Sequence, residues 1–366
     1  MTPDPGLASW LQLSLTPGLG ASTVRNLLKQ FGLPEAVLAR QRSELASFVA
    51  PSTLEALYSP RVGDAVQRAL EWAAADDHFI ITLADETYPR ALLEIADPPP
   101  LLYAHGRVSL LRQPALAIVG SRNATAQGES NAEHFASALS AAGLTIVSGL
   151  ALGIDAAAHR GGLAGGSSTI AVLGTGIDVV YPTRNAELAA EIARQGLLLS
   201  EFALGTPAAA HNFPRRNRLI SGLARGCLVV EAALASGSLI TARCAADQGR
   251  EVFAIPGSIH SPLSKGCHAL IKSGAKLVES AEDVLAELAG FRASGYASTA
   301  THPAPADTGL LAVMGHDPVD VDSLCARAGL SAEQVASELL RLELDGRVTA
   351  LPGGLYQRLE KAQRGR

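Results

Sequence analysis

The sequence predicts an α/β protein: a Rossmann-like, doubly wound, mainly parallel sheet flanked by an N-terminal helical domain and a C-terminal winged helix. Three observations carry that prediction. Between Pro114 and Ala289 seven short apolar runs (ALAIVGS, LTIVSGL, STIAVLG, GLLLSEF, CLVVEA, EVFAIPG and AKLVES) alternate with helical stretches, which is the pattern of βαβ units. The runs are continuously apolar, as strands buried on both faces of a parallel sheet must be. A small, Pro-rich stretch, RASGYASTATHPAPAD, follows and has the composition of a flexible linker, so the chain beyond it reads as a separate module. The expected domains are 1–80, 81–290, a linker at 291–308, and 309–366.

Residues 7–70 read as short helices, because heptad-like apolar spacing is interrupted by Pro17-Gly18, Gly32-Leu33-Pro34 and Pro51-Ser52. Within them LTPGLGASTVRNLLKQFG resembles a helix-hairpin-helix. Its Gly18-Leu19-Gly20 turn either offers backbone N–H groups to a phosphate or is an ordinary helical turn in a packing domain. Residues 309–359 read as three helices followed by RVTALPGGLYQRL, a hairpin turning at Pro352-Gly353-Gly354. Ser331 and Gln334 have the spacing of a capping box at the start of the third helix. That helix carries Glu333, Glu338, Glu343 and Asp345 against Arg341 alone, which speaks for a protein-contact module and against a reader of the major groove.

At 366 residues the chain is long enough for about two or three domains. Its 48% hydrophobic and 18% charged content supplies a large core and excludes a disordered, solvating protein. No apolar run reaches the roughly 18–20 residues that span a bilayer. The N-terminus lacks a basic region followed by an apolar one, so no signal peptide is expected. The four cysteines, Cys227, Cys244, Cys267 and Cys325, form no CxxC pair, and a reducing, cytoplasmic location follows as an expectation. The net charge of −5 does not announce a nucleic-acid binder, so any such case rests on a local basic patch.

The first strand ends in IVGSRNAT. A Gly120-Ser121 turn before a helix lets backbone N–H groups approach an anion, and Arg122 adds a bidentate donor fork; the alternative is a tight turn with a solvated arginine. The run is neither GxGxxG nor a P-loop, so no nucleotide cofactor is indicated. The second strand ends in another Gly-rich turn, Ser148-Gly149. Beyond it Asp155 and His159 lie four apart on one helical face; no Cys or further His stands at ligand spacing, and a local hydrogen-bonded pair is expected rather than a metal site. After the third strand, Arg184 in VVYPTRN faces either a ligand groove or solvent.

The strongest local signal is HNFPRRNRLISGLARG. From Phe202 through Val230 there is no acidic residue, yet Arg215, Arg216, Arg218 and Arg225 all lie there, with Phe213 before the cluster. Basic groups that track phosphates beside an aromatic face that stacks a base suit single-stranded nucleic acid. The competing reading puts Arg216 and Arg218 in salt bridges, with Asn217 and Arg218 opening a helix. Ser236, Gly237 and Ser238 offer a further small-residue helix start at the carboxyl edge of the sheet, where α/β folds bind ligands. Glu231 ends an apolar strand with no nucleophile partner in view, and no Ser-His-Asp, Cys-His or paired-carboxylate set assembles. A binding protein is expected, not an enzyme.

VGSRNAT, SGLALGIDAAAH, TIAVLGTGIDVVYPTRN, LLLSEF, FPRRNRLISGL, VVEAALASGSLITA and FAIPG, in this order, closely resemble the DNA-processing protein A (DprA, also called Smf) family. The N-terminal helices and the winged helix fit its longer members, the former with a SAM or helix-hairpin-helix-like fold. The resemblance implies a dimeric recombination mediator of natural transformation that binds and protects incoming single-stranded DNA and loads the recombinase RecA. It carries DNA contact to Arg122 in the GSR motif, assigns Phe213, Arg215, Arg216, Asn217 and Arg218 to FPxRNR, and Ser236-Gly237-Ser238 to the SGS turn. Where the family often has a lysine after Tyr-Pro, this chain has Thr183 and then Arg184. The runner-up is a nucleotide phosphoribohydrolase of the lonely guy (LOG) type, whose PGGxGTxxE turn carries a catalytic glutamate; the corresponding ASGSLITARCA has no carboxylate at that place. A transcription factor is a third reading, opposed by the acidic third helix.

Overall fold

The computed structural model describes residues 5–288, 309–315 and 317–359. Six helices come first: α1 (Pro5–Leu15), α2 (Ala21–Phe31), α3 (Pro34–Leu38), α4 (Arg42–Leu45), α5 (Pro51–Leu57) and α6 (Pro60–Ala73). Proline opens α3, α5 and α6, where its missing N–H costs nothing. Leu13, Leu19, Val24, Leu27 and Leu45 close a small core of their own. Trp10, Leu11 and Ala69 instead pack with Leu101, Tyr103 and Leu198 of the neighbouring sheet, so the helical domain is docked along the sheet flank. Helices α1 and α2 meet at the expected glycine turn. Gly18 takes φ +85°, and a Cβ there would lie 2.5 Å from Thr53 Oγ1, so only glycine fits.

The sheet has nine strands: β1 (His78–Thr82), β2 (Leu101–Gly106), β3 (Ala115–Val119), β4 (Thr145–Ser148), β5 (Thr169–Val172), β6 (Leu197–Ser200), β7 (Gly226–Val229), β8 (Glu251–Ala254) and β9 (Lys276–Leu277). Their order is β1-β2-β6-β5-β4-β3-β7-β8-β9. The seven anticipated runs form β3 to β9 and are parallel throughout. Two strands were not anticipated: β2 adds antiparallel to β6, and β1 antiparallel to β2. HFIIT buries only its last two residues, so its pattern does not mark a strand until β2 offers it an edge. Strand β1 starts at His78 and straddles the boundary expected at 80/81.

Helix α7 (Arg90–Leu93) lies between β1 and β2, and α8 (Ala126–Ala141), α9 (Ile154–Ala164), α10 (Ala186–Gln195), α11 (Asn212–Leu223), α12 (Ser238–Asp247), α13 (Lys265–Lys272) and α14 (Ala281–Glu287) follow. The continuously apolar strands still alternate. In β3, Leu116 and Ile118 face a core built with α8, α9 and α14, whereas Ala115, Ala117 and Val119 face one built with α11, α12 and α13. Helices α8 and α9 approach closely because their contact is made of small residues; a Cβ on Gly161 would stand 2.2 Å from the Glu133 carbonyl. From β3 the chain winds out through β4, β5 and β6, then returns along α11 to β7 on the other side of β3. That reversal opens a crevice at the carboxyl ends of β3, β4 and β7.

The C-terminal module contains α15 (Leu310–Met314), β10 (Val319–Asp320), α16 (Val321–Ala328), α17 (Ala332–Leu344), β11 (Val348–Leu351) and β12 (Leu355–Arg358). This is the expected winged helix, closed over Leu324, Val335 and Leu339. Its hairpin turns at Gly353 and Gly354, both at positive φ, and the Ser331–Gln334 capping box forms at α17. The expected linker lies outside the described residues. Among the described residues no helix is long and apolar enough to cross a membrane.

Candidate functional site

A cavity of about 830 Å³ occupies the crevice, walled by the turn after β3, the start of α11 and the start of α12. Glycine is required at its base: a Cβ on Gly120 would lie 2.6 Å from Ile154 Cγ1 and 2.9 Å from the Glu231 carbonyl. Ser121 is buried, and its Oγ accepts from the Asn123 N–H at 3.2 Å. Arg122 projects from this turn, exposed, with its guanidinium 5.5 Å from the centroid of the Phe213 ring, within cation–π range. Tyr181, also exposed, stands beside Phe213 with ring centroids 5.6 Å apart.

The helix after the Gly120-Ser121 turn contributes less positive potential than the sequence suggests. Helix α8 begins only at Ala126, and Thr125 Oγ1 caps it by accepting from the Gly128 N–H. Glu231 accepts from both the Thr125 N–H (2.9 Å) and its hydroxyl (2.6 Å). The carboxylate that found no partner in the sequence thus answers the helix end from within the protein. Burial raises its pKa, and the Thr125 hydrogen bonds oppose the rise. Arg122 carries the positive charge at this wall.

Ser148 and Gly149 do not line the cavity but lie behind its wall. Ser148 Oγ donates to the Ile118 carbonyl at 2.6 Å, and the Gly149 carbonyl accepts from Arg216 at 2.7 Å. Asp155 accepts from the Gly149 and Ala151 N–H groups, while His159 Nε2 accepts from Leu150 N–H at 3.2 Å and its Nδ1 meets Thr169 Oγ1 at 2.7 Å. The i,i+4 pair is therefore spent on holding one loop, in which Leu150 takes φ +59°, a strained value for leucine. Burial pushes His159 down to about 3, aided by the Arg216 and Arg160 charges, and pushes Asp155 up against the opposing pull of Arg216. Among the described residues no group of three or more His, Cys, Asp or Glu side chains could hold a metal.

The FPRRNR run is not a loop, and the helix does not wait for Asn217. It occupies the first turns of α11, which starts at Asn212; Pro214 sits in the first turn, where its missing N–H breaks no helical bond. Helical rotation then separates Arg216 from Arg215 and Arg218, which lie three apart on one face and share Glu201. Arg216 turns inward and is only 4% exposed, donating to the carbonyls of Gly149 and Val172. Burial lowers its pKa to about 10, against the raising effect of Asp155. Arg218 pairs with Glu201 and Asp97. Arg215 stays half exposed, 3.2 Å from Glu201, beside a smaller cavity of about 190 Å³ that also touches Gly20 and Ala21. Asn217 Nδ2 donates to the Gly237 carbonyl at 3.4 Å.

Ser236, Gly237 and Ser238 line the main cavity, with the two serine hydroxyls 2.7 Å apart. Arg184 remains exposed on the 3-10 turn Thr183–Asn185, outside the wall. Arg225 lies at the amino end of β7, with its backbone N–H on the Ala115 carbonyl, at the opposite edge of the sheet. Tyr181 and Asn185 were not among the expected site residues. Asn185 Nδ2 donates to the carbonyls of Leu150 and Ala151, and an aromatic before proline was the available signal for Tyr181.

These elements define an α/β protein with a cationic, aromatic-walled cleft at the switch point of a doubly wound sheet, carrying a winged helix. The family model for DNA recombination-mediator protein A matches residues 79–289, and that for the DprA winged helix domain matches 296–354. The chain belongs to the DNA recombination-mediator protein A family, DprA/Smf. It is 45% identical over 306 residues to Protein Smf of Escherichia coli (strain K12), covering 81% of this chain and 82% of the relative. The X-ray structure of DNA processing protein A from Streptococcus pneumoniae superposes with a TM-score of 0.67 at 40% identity, covering 76% of this chain and 95% of that one. DNA processing protein A from Helicobacter pylori, described with its single-stranded DNA binding mode, gives a TM-score of 0.51 at 32% identity, over 56% and 93%.

Proposed function

We propose that this chain is a single-stranded DNA-binding recombination mediator whose cleft takes the phosphodiester backbone and stacks bases. The observation that carries this reading is the set of Arg122, Phe213 and Tyr181 facing one cavity: a fixed cation beside two aromatic faces suits a flexible strand whose bases are unpaired. Gly120, Ser121, Ser236, Gly237 and Ser238 let a strand come close. Ser148, Gly149, Arg216, Asn217 and Arg218 act through the shape of the site, and the exposed Arg215 and Arg184 add positive charge outside the cavity wall. The single-stranded DNA binding of the H. pylori relative supports the same ligand here. Loading of RecA, a homodimer, action in natural transformation and a cytoplasmic location are proposed with it.

A phosphoribohydrolase is disfavoured because Glu231, at the end of β7, is committed to Thr125. Gel shifts with single- and double-stranded DNA of equal length test the main reading; tight duplex binding with no single-strand preference overturns it. Release of free base from nucleoside monophosphates would revive the enzyme.

A further inference from the structure

Glu201 immediately precedes the acid-free run and directly follows β6, and its side chain is only 2% exposed. It serves two guanidinium groups held in different ways. Arg218 is 14% exposed and is fixed from a second side, since it donates to the Asp97 carbonyl and lies 3.6 Å from the Asp97 carboxylate. Asp97 is itself held at 2.7 Å by Arg25 of α2. Arg215 is 49% exposed, and among the described residues its anionic partner is Glu201 alone, at 3.2 Å; its guanidinium also lies 5.4 Å from the Phe202 ring centroid. One arginine is locked and the other can swing.

Building on the proposed DNA reading, we infer that Glu201 limits affinity: it is an internal anion that competes with a DNA phosphate for Arg215. The Arg25–Asp97–Arg218 chain keeps Glu201 in place whether or not Arg215 leaves it. A phosphate reaching the first turn of α11 meets a cation already partly neutralised, so binding gains less and releases less counterion than a free arginine would allow. The carboxylate thereby sets how tightly the rim holds a strand.

The test is Glu201→Gln, which removes the charge and keeps an acceptor for Arg218. It is expected to bind an oligonucleotide of mixed sequence roughly two- to fivefold more tightly, the range of a half-exposed ion pair, with a steeper salt dependence. In an Arg215→Ala background the same substitution is expected to change nothing. Glu201→Asp, which withdraws the carboxylate by one methylene, serves if Glu201→Gln does not fold and is expected to act in the same direction but less. Unchanged or weaker binding by a folded Glu201 variant overturns the inference, because Glu201 then orients Arg215 towards DNA. An equal gain without Arg215 also overturns it. Failure of the underlying reading is distinguishable: the unsubstituted chain would itself show no preference for single strands.

Discussion

The guanidinium of Arg122 stands 5.5 Å from the centre of the Phe213 ring, joining the turn after β3 to the first turn of α11 across the mouth of the cavity. Neither residue is held rigidly by the contact: Arg122 is exposed and Phe213 half-buried. A strand entering here meets a charge and a stacking face at once, and the two can be separated by experiment.

Arg122→Ala is expected to weaken single-stranded DNA binding by roughly 1–3 kcal/mol, the worth of a charge-assisted phosphate contact. Thermal stability should stay as it was, because the side chain projects into solvent. Titration of the folded variant with a labelled oligonucleotide checks both; unaltered affinity would make Arg122 a solvated turn residue.

Phe213→Ala removes a face worth about 1–3 kcal/mol per base and leaves every charge in place. Affinity should drop while the slope of log affinity against log salt holds. Arg215→Ala should instead flatten that slope by roughly one unit or less. Binding isotherms at several salt concentrations discriminate the two, and if neither variant loses affinity the start of α11 lies off the DNA path.

Arg216→Ala should fail differently, by unfolding. It leaves the Gly149 and Val172 carbonyls without their donor and strips a buried counter-charge from Asp155, a loss on the order of 3–5 kcal/mol. Urea denaturation measures it. A variant of native stability that binds DNA poorly would instead place Arg216 in direct contact with the ligand.

His159 makes stability pH-dependent. Its folded pKa of about 3 lies below its unfolded value near 6.5, so its contribution is intact above pH 6.5. Below that the unfolded chain binds a proton that the folded chain refuses, and stability falls towards pH 3 by at most roughly 1.4 kcal/mol per pH unit. Asp155, with its raised pKa, acts in the opposite sense, so the isolating comparison is His159→Gln, which should show a shallower acid limb in thermal melts. An identical acid limb would show that His159 is not the group responsible.

The arginine cluster shows where sequence reasoning stopped. Acid-free composition around Arg215, Arg216 and Arg218 is a one-dimensional fact, and it singles out the start of α11. It did not distinguish the half-exposed Arg215 from Arg216, which is 4% exposed, since that depends on helical phase and on the Gly149 and Val172 carbonyls brought to meet Arg216. Glu231 was ambiguous for the same reason: its partner, Thr125, is far away in sequence and is brought to it by the pairing of β3 with β7.

What the sequence determined by itself is local and periodic. It includes the seven strands with their continuous apolar runs, the glycine turns at Gly18 and Gly120, the capping box at Ser331 and Gln334, and the winged helix. Those follow from backbone sterics and side-chain burial, which act over a few residues. Only the tertiary structure decided that β1 and β2 extend the sheet, that Arg25, Asp97, Arg218 and Glu201 form one chain of charges, and that Arg122, Tyr181 and Phe213 converge. The reason is physical: a charge or an edge strand acquires its role from the group that packs against it, and here that group lies far away in sequence, delivered by the reversal of the sheet at β3.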